Sequence, residues 1–162
     1  MRILATAVTV TSLCLSVVGH AHALTVIDDL GGEMAVYRER AIELGRSGEL
    51  VRIGGKCSSS CNIYLMKQYK VKACALPGAI LRFHMPFYGK WAGEKIIVDK
   101  GKDLARESRR YWYNEWLGKF PTKLNTILRT ATNKGEIPNP SEDGNIRYLY
   151  EVKAETVLPR CQ

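Results

Sequence analysis

Three consecutive serines and one histidine are the residues of this sequence best suited to covalent chemistry. Residues 58–60 are serines, and they lie between Cys57 and Cys61, directly after a Gly-Gly-Lys turn. A serine at a sharp turn between a strand and a helix can present its hydroxyl as a nucleophile, while the first free N–H groups of the helix stabilise an oxyanion. The same serines could instead only cap the helix, a common role for serine. Spacing alone leaves both interpretations open.

His84 is the candidate general base, because it ends an apolar strand-like run over residues 79–84. A side chain at the end of such a strand can reach the rim of an active site. The alternative is a histidine that is exposed or satisfied within the core. His20 and His22 are the other histidines, and both lie in an N-terminal segment with the features of a secretory signal.

That segment comprises residues 1–23. Arg2 supplies a positive start, residues 3–18 are apolar and uncharged, and residues 21–23 form a small-x-small cleavage site. A membrane anchor is the alternative, but the apolar run is short for a span and hydroxyl residues dilute it. We therefore expect a signal peptide at 1–23, a single domain at 24–162, a periplasmic or secreted protein, and no membrane span after cleavage.

Length and composition indicate one globular domain. The chain has 162 residues, of which 46% are hydrophobic and 25% are charged, and it contains no internal repeat. Its formal net charge is +8, and loss of residues 1–23 would remove only Arg2 and leave +7. That positive charge suits contact with anionic envelope surfaces or acidic partners. The basic and aromatic stretch 109–116 could bind nucleic acid. However, its aromatic residues lie at helical spacing, which is typical of a buried helix face, and an exported protein does not encounter the nucleic acid of the cell. We expect no nucleic-acid partner.

The cysteines favour disulfides over a metal. Cys14 would leave with the signal, and an even number in an exported chain favours two disulfides with three alternative connectivities. The four that remain are Cys57, Cys61, Cys74 and Cys161. A zinc site formed by the first three with His84 is the alternative, but the spacing differs from paired C-x2-C and an oxidising compartment disfavours free thiolates. We expect no metal and no cofactor.

The elements that must position these residues alternate between strand and helix. Strands are predicted at 24–27, 50–53, 71–74 and 79–84. One helix is predicted from Met34, stopped by Gly45 and the Ser47-Gly48 pair, and another from Cys61 onward. This β-α-β-α-β-β order is typical of an α/β domain with a largely parallel sheet. Aromatic residues at helical spacing predict a helix over 103–119. A second helix is expected from about 121 to 133, followed by a β-like segment over 146–152.

Residues 53–61 and 74–86 resemble the Clp protease proteolytic subunit and its exported relatives in the crotonase-like superfamily. The resemblance extends upstream to the glycine pair at 31–32 and covers residues 24–90. It implies an α/β crotonase/Clp-protease-like ββα spiral with a helical C-terminal part. In that family the histidine follows the nucleophile by 25 residues, which selects Ser59 as the partner of His84.

The resemblance also implies the remaining site residues. The oxyanion donors would be the backbone N–H groups of Gly32 and Ser60. The family's third catalytic residue is an aspartate, and Asn145 occupies its place here, with Asp143 close enough in sequence to substitute. An Asp→Asn change in a serine protease costs about 10⁴ in rate. A weak or absent peptidase activity is therefore consistent with the sequence.

We predict a Cys61–Cys74 disulfide across the short loop between helix and strand, which leaves Cys57 for Cys161. We expect an exported serine hydrolase that acts on peptides or proteins through Ser59 and His84. The alternative is a catalytically inactive, disulfide-stapled binding or assembly module of the same fold. An oligomer is compatible with both.

Overall fold

A computed structural model describes residues 23–87, 89–92, 95–98, 103–141 and 146–162. Residues 1–22 of the predicted signal peptide, which spans 1–23, lie outside the described residues. Asp143 and Asn145 lie outside them as well. Within the described residues, no helix combines the length and apolar character that crossing a membrane requires.

A five-stranded mixed sheet forms the centre of the α/β fold. The strands of the chain are β1 (Ala23–Asp29), β2 (Leu50–Ser58), β3 (Lys72–Ala75), β4 (Ile80–Phe83), β5 (Gly89–Ala92), β6 (Lys95–Val98) and β7 (Tyr150–Lys153). Strand β2 pairs in parallel with β1, β3 and β4, whereas β7 pairs antiparallel with β4. Strands β5 and β6 form a separate antiparallel pair. The predicted α/β class with a largely parallel sheet is confirmed.

Strand β2 is longer than the sequence predicts, and its length places the serines. Residues 50–53 pair with β3 and residues 56–58 pair with β4, so one strand contacts two successive neighbours along the same edge. The predicted strand ended at Ile53, because the glycines that follow are typical of a turn. The observed strand instead continues to Ser58 and delivers Ser59 at the carboxyl edge of the sheet.

The helices interleave with the strands. They are α1 (Met34–Ser47), α2 (Leu104–Tyr111) and α3 (Thr122–Asn133), with 3-10 turns at Ser59–Leu65, Lys67–Tyr69 and Ala154–Thr156. Helix α1 passes through Gly45, one of the two predicted stops. A glycine is needed there for packing, because a Cβ at that position would lie 1.8 Å from the Tyr69 carbonyl oxygen. Gly48, in the left-handed conformation at φ 70°, ends the helix.

The predicted helix over 103–119 is shorter and not uniform. Helix α2 is followed by a π-helical segment, Trp112–Trp116, whose two tryptophans are buried in the core. Trp112 and Trp116 stack at 5.8 Å, and Phe120 contacts Phe83 of β4 edge-on at 5.7 Å. Phe120 of the C-terminal helical part therefore packs against β4, the strand that leads to His84.

Candidate functional site

Ser59 occupies a sharp turn at the end of β2. Its φ of 53° lies in the left-handed region, which a non-glycine residue rarely adopts and which is concentrated at functional sites. The chain changes there from strand to 3-10 helix, and Ser59 is half-buried. None of the three serines caps that helix with its side chain. The capping interpretation is therefore wrong, and the role of Ser59 as a nucleophile stays a prediction.

Asn62 supports the turn from beneath. Its side chain is fully buried, and its Nδ2 lies within hydrogen-bonding distance of the carbonyl oxygens of Cys57 (3.3 Å), Ser59 (3.1 Å) and Arg82 (2.9 Å). One amide group thus ties the serine turn to β4, the strand that leads to His84. Buried backbone carbonyls need such partners, because leaving them unpaired costs about 1–3 kcal/mol each.

A disulfide brackets the serine turn. Cys57 and Cys61 are joined, with their Cα atoms 5.4 Å apart, because the tight 3-10 turn brings the two ends of the serine run together. The second disulfide joins Cys74 to Cys161. The presence of two disulfides is confirmed, but the predicted pairing of Cys61 with Cys74 is wrong.

The predicted Cys57–Cys161 pairing is wrong for a reason that lies in the tail. Arg160 forms a parallel bridge with Ala75, and the Cys161 amide donates to the Ala75 carbonyl at 2.9 Å. The C-terminus therefore runs alongside β3 rather than the serine turn, which places Cys161 beside Cys74 with Cα atoms 5.0 Å apart. The zinc alternative needed these cysteines as thiolates, whereas all four are oxidised.

Ser59 and His84 are in direct contact. The distance from Ser59 Oγ to His84 Nε2 is 2.8 Å, and the distance from His84 Nδ1 to the carbonyl oxygen of Met85 is also 2.8 Å. Since a carbonyl only accepts, Nδ1 carries the hydrogen and donates it. Nε2 then has a free lone pair and accepts from the serine hydroxyl, which is the tautomer that a general base requires.

The backbone of Met85 is held by the C-terminal part of the chain. Met85 is buried, and its amide donates to the Pro138 carbonyl at 2.9 Å, which locks the peptide next to His84 against the loop after α3. Asn145 and Asp143, the expected partners of the far ring nitrogen, lie outside the described residues. The described residues supply a backbone carbonyl at that nitrogen instead.

Burial sets the protonation of His84. Desolvation lowers the pKa of His84 below its usual 6.5, and the hydrogen bond to the Met85 carbonyl partly opposes this shift by favouring the charged ring. The ring is about 9% exposed. At neutral pH the imidazole is therefore uncharged and able to accept a proton.

The Gly31–Gly32 turn packs against the serine turn. The Ser60 hydroxyl donates to the Gly32 carbonyl at 2.7 Å, so the two turns are joined directly. Asp29 orders the approach: its Oδ1 accepts from the Gly31 amide at 2.8 Å and from the Tyr37 hydroxyl at 2.6 Å. The pKa of Tyr37 is raised, first by burial and then by this bond to Asp29, so the phenol stays protonated and donating.

A cleft of about 990 Å³ opens over Ser59 and His84. Its apolar lining consists of Leu30, Met34, Pro86, Phe87, Trp116 and Ile146. Leu30 is 74% exposed, so apolar surface faces solvent at the mouth. Glu33, Arg38 and Glu115 also line the cleft. The predicted pair thus lies at the base of an open, mostly apolar groove large enough for several residues of an extended peptide.

Sequence reasoning missed two supports of this site. The Met85 carbonyl could not be found from side-chain types, because its role depends only on backbone direction after β4. Asn62 did carry a signal: it is the one amide side chain in the otherwise apolar stretch 61–66. Within the described residues, no group of three or more histidine, cysteine or acidic side chains is placed to hold a metal.

Comparison with known proteins gives no match: no protein-family model, no curated protein and no solved structure is similar to this chain.

Proposed function

We propose that the protein is an exported serine hydrolase that cleaves peptide bonds, built on a crotonase/Clp-protease-like ββα spiral. The 2.8 Å contact between Ser59 Oγ and His84 Nε2 carries the proposal. A nucleophile within hydrogen-bonding reach of a base that a third group orients is the signature of covalent catalysis. Export is supported by the signal-like N-terminus and by the two disulfides.

The proposed reaction has two steps: the acyl group of the substrate is transferred to Ser59 and then to water. The Ser59 oxygen attacks the substrate carbonyl carbon while its proton passes to His84 Nε2, giving a tetrahedral oxyanion. The imidazolium then protonates the leaving amine as the C–N bond breaks, and an acyl-serine remains. Water, deprotonated by the same nitrogen, hydrolyses the acyl group and restores the serine. Throughout, the Met85 carbonyl holds the ring in one tautomer and stabilises its charged form.

The oxyanion would be held by the amides of Gly32 and Ser60. Both residues line the cleft beside Ser59, and the hydrogen bond from the Ser60 hydroxyl to the Gly32 carbonyl fixes their spacing. Ser60 is in the first turn of a helix, where amides lack intrahelical partners. Donors arranged in advance around the developing charge contribute about 10²–10³ to the rate each.

Turnover of a fluorogenic peptide pool and of an activated ester tests the proposal. The wild-type protein is expected to hydrolyse both, and the Ser59→Ala and His84→Gln variants are expected to lose at least about 100-fold in kcat/KM. Ser58→Ala is the matched control, because the buried Ser58 hydroxyl has no partner in the described structure. Equal rates in the wild type and in Ser59→Ala would overturn the proposal.

The second candidate is an inactive binding or assembly module of the same fold. The observation in its favour is that the far nitrogen of His84 meets a neutral carbonyl where a carboxylate gives the strongest activation. If the protein is such a module, neither the wild type nor any variant hydrolyses the peptide pool or the ester, although each is folded.

A further inference from the structure

Arg38 is a half-buried cation in the wall of the catalytic cleft. It lies on α1, one turn after Met34, and both residues line the cleft with Ser59 and His84. Its guanidinium donates from Nη2 to the hydroxyl of Tyr111. Among the ion pairs of the described residues none includes Arg38.

An arginine in this position has unused binding capacity. The guanidinium carries five N–H donors in a planar fork, and the bond to Tyr111 uses one of them. A partly desolvated charge is costly unless an opposite charge pairs with it, and the fork geometry matches a carboxylate through two parallel hydrogen bonds. The Tyr111 contact keeps the side chain in the cleft wall without neutralising it.

The two acidic residues of the cleft do not take this role. Glu33 and Glu115 are exposed, so water and salt screen them, and neither lies within ion-pair distance of Arg38. Of these three charged residues, Arg38 is therefore the one most shielded from solvent. An anion bound to it would be screened less than an ion at either exposed glutamate.

We propose that Arg38 binds a carboxylate of the substrate, so that the cleft selects peptides carrying an acidic side chain or a free C-terminus beside an apolar segment. This inference rests on the proposed hydrolase function for its role in turnover, but carboxylate binding itself does not need an active Ser59. The apolar lining of the cleft contacts the peptide side chains next to the carboxylate. The bond to Arg38 fixes which peptide bond lies at Ser59.

Two pairs of substrates separate the sources of the carboxylate. One pair is an N-acetylated fluorogenic peptide with a free C-terminus and its C-terminal amide, and the other pair differs by aspartate against asparagine. We expect the wild type to favour the carboxylate member of at least one pair by about 10-fold or more in kcat/KM, the usual effect of a charged hydrogen bond. Arg38→Gln should remove the preference, while Arg46→Gln, at the exposed last turn of the same helix, should keep it.

Calorimetric binding of the same peptides to Ser59→Ala gives the result without turnover. Tighter binding of the carboxylate peptides that Arg38→Gln abolishes supports the inference, whether or not the peptides are hydrolysed. Absence of hydrolysis would refute only the proposed hydrolase function. Equal affinity for both members of both pairs, or a preference that survives Arg38→Gln, overturns the inference. Circular dichroism of Arg38→Gln confirms that the variant is folded.

Discussion

Gly31 and Ser59 are in such close contact that only a glycine fits at the first position. A Cβ atom on Gly31 would lie 2.8 Å from the Cβ of Ser59 and 2.6 Å from the Ser58 carbonyl oxygen. Gly31 also has a φ of 81°, which L-residues with a side chain rarely adopt. The approach of this turn to Ser59 therefore depends on the absence of a side chain at Gly31.

Gly31→Ala is expected to displace the serine turn and lose activity. The left-handed backbone costs about 1–2 kcal/mol for a residue with a Cβ, and the clash adds about 1–3 kcal/mol. Gly78→Ala is the matched control: its φ is 77°, but nothing lies within 4 Å of the added Cβ. Denaturant unfolding and ester turnover should show a larger loss for Gly31→Ala. If both variants lose the same stability and both keep full activity, the proposed clash of a Gly31 side chain with the serine turn is contradicted.

The sequence predicted the contact between Ser59 and His84 better than it predicted the surroundings of these two residues. The spacing between Ser59 and His84, read through the family resemblance, placed two residues that the structure joins at 2.8 Å. The disulfide pairing was wrong because it depends on where the C-terminal tail lies, and no local pattern shows that Arg160 runs beside Ala75. Likewise, the extension of β2 through its glycines requires β4 as a neighbour, which only the folded sheet supplies.

The two disulfides should have different effects. The Cys57–Cys61 loop closes only 4 residues and the Cys74–Cys161 loop closes 87. In the chain-entropy model the short loop contributes about 2 kcal/mol and the long one about 4–5 kcal/mol. We expect Cys57→Ser with Cys61→Ser to reduce ester turnover strongly at modest cost in stability, because that bridge brackets Ser59.

The complementary pair of substitutions is the control. Cys74→Ser with Cys161→Ser should lower the free energy of unfolding most while the remaining folded protein stays active. Turnover and chemical denaturation on both double variants check this. If the long-loop variant loses activity in its folded state, or the short-loop variant keeps it, the assignment of roles is wrong.

Turnover should fall on the acidic side below pH 6.5. The base works only as neutral imidazole, and burial lowers the pKa of His84, so the active form persists to a lower pH than in a free histidine. The pH profile of kcat/KM measures this directly. An inflection above pH 6.5 would show that the ring is stabilised in its charged form, as a nearby carboxylate would do.

The same pKa shift links to stability. Because the folded pKa of His84 lies below the unfolded value near 6.5, the unfolded chain binds more protons as the pH falls. The contribution of His84 to stability is therefore complete above pH 6.5 and is lost as the pH falls from there to the folded pKa. Comparing wild type with His84→Gln in urea unfolding across pH 4–8 isolates it, since the variant should lack this part of the pH dependence.

Loss of Asn145 or Asp143, the candidates for the third catalytic residue, should matter little. Since the Met85 carbonyl already accepts from His84 Nδ1, we expect Asn145→Ala and Asp143→Ala to change kcat/KM by less than about tenfold. A triad that depended on either side chain would lose about 10⁴. Steady-state kinetics on both single variants and the double variant decides between these cases, and a loss on the larger scale would show that one of these side chains orients the ring during catalysis.

Covalent labelling with a fluorophosphonate, located by peptide mass spectrometry, tests the central claim most directly, because only an activated serine reacts quickly. We predict a single adduct on Ser59 in the wild type and in Ser58→Ala, with none in Ser59→Ala and at least about a 100-fold slower reaction in His84→Gln. An adduct on Ser58 or Ser60, or a folded wild-type protein that reacts no faster than His84→Gln, would contradict the assignment of Ser59 and His84 as nucleophile and base.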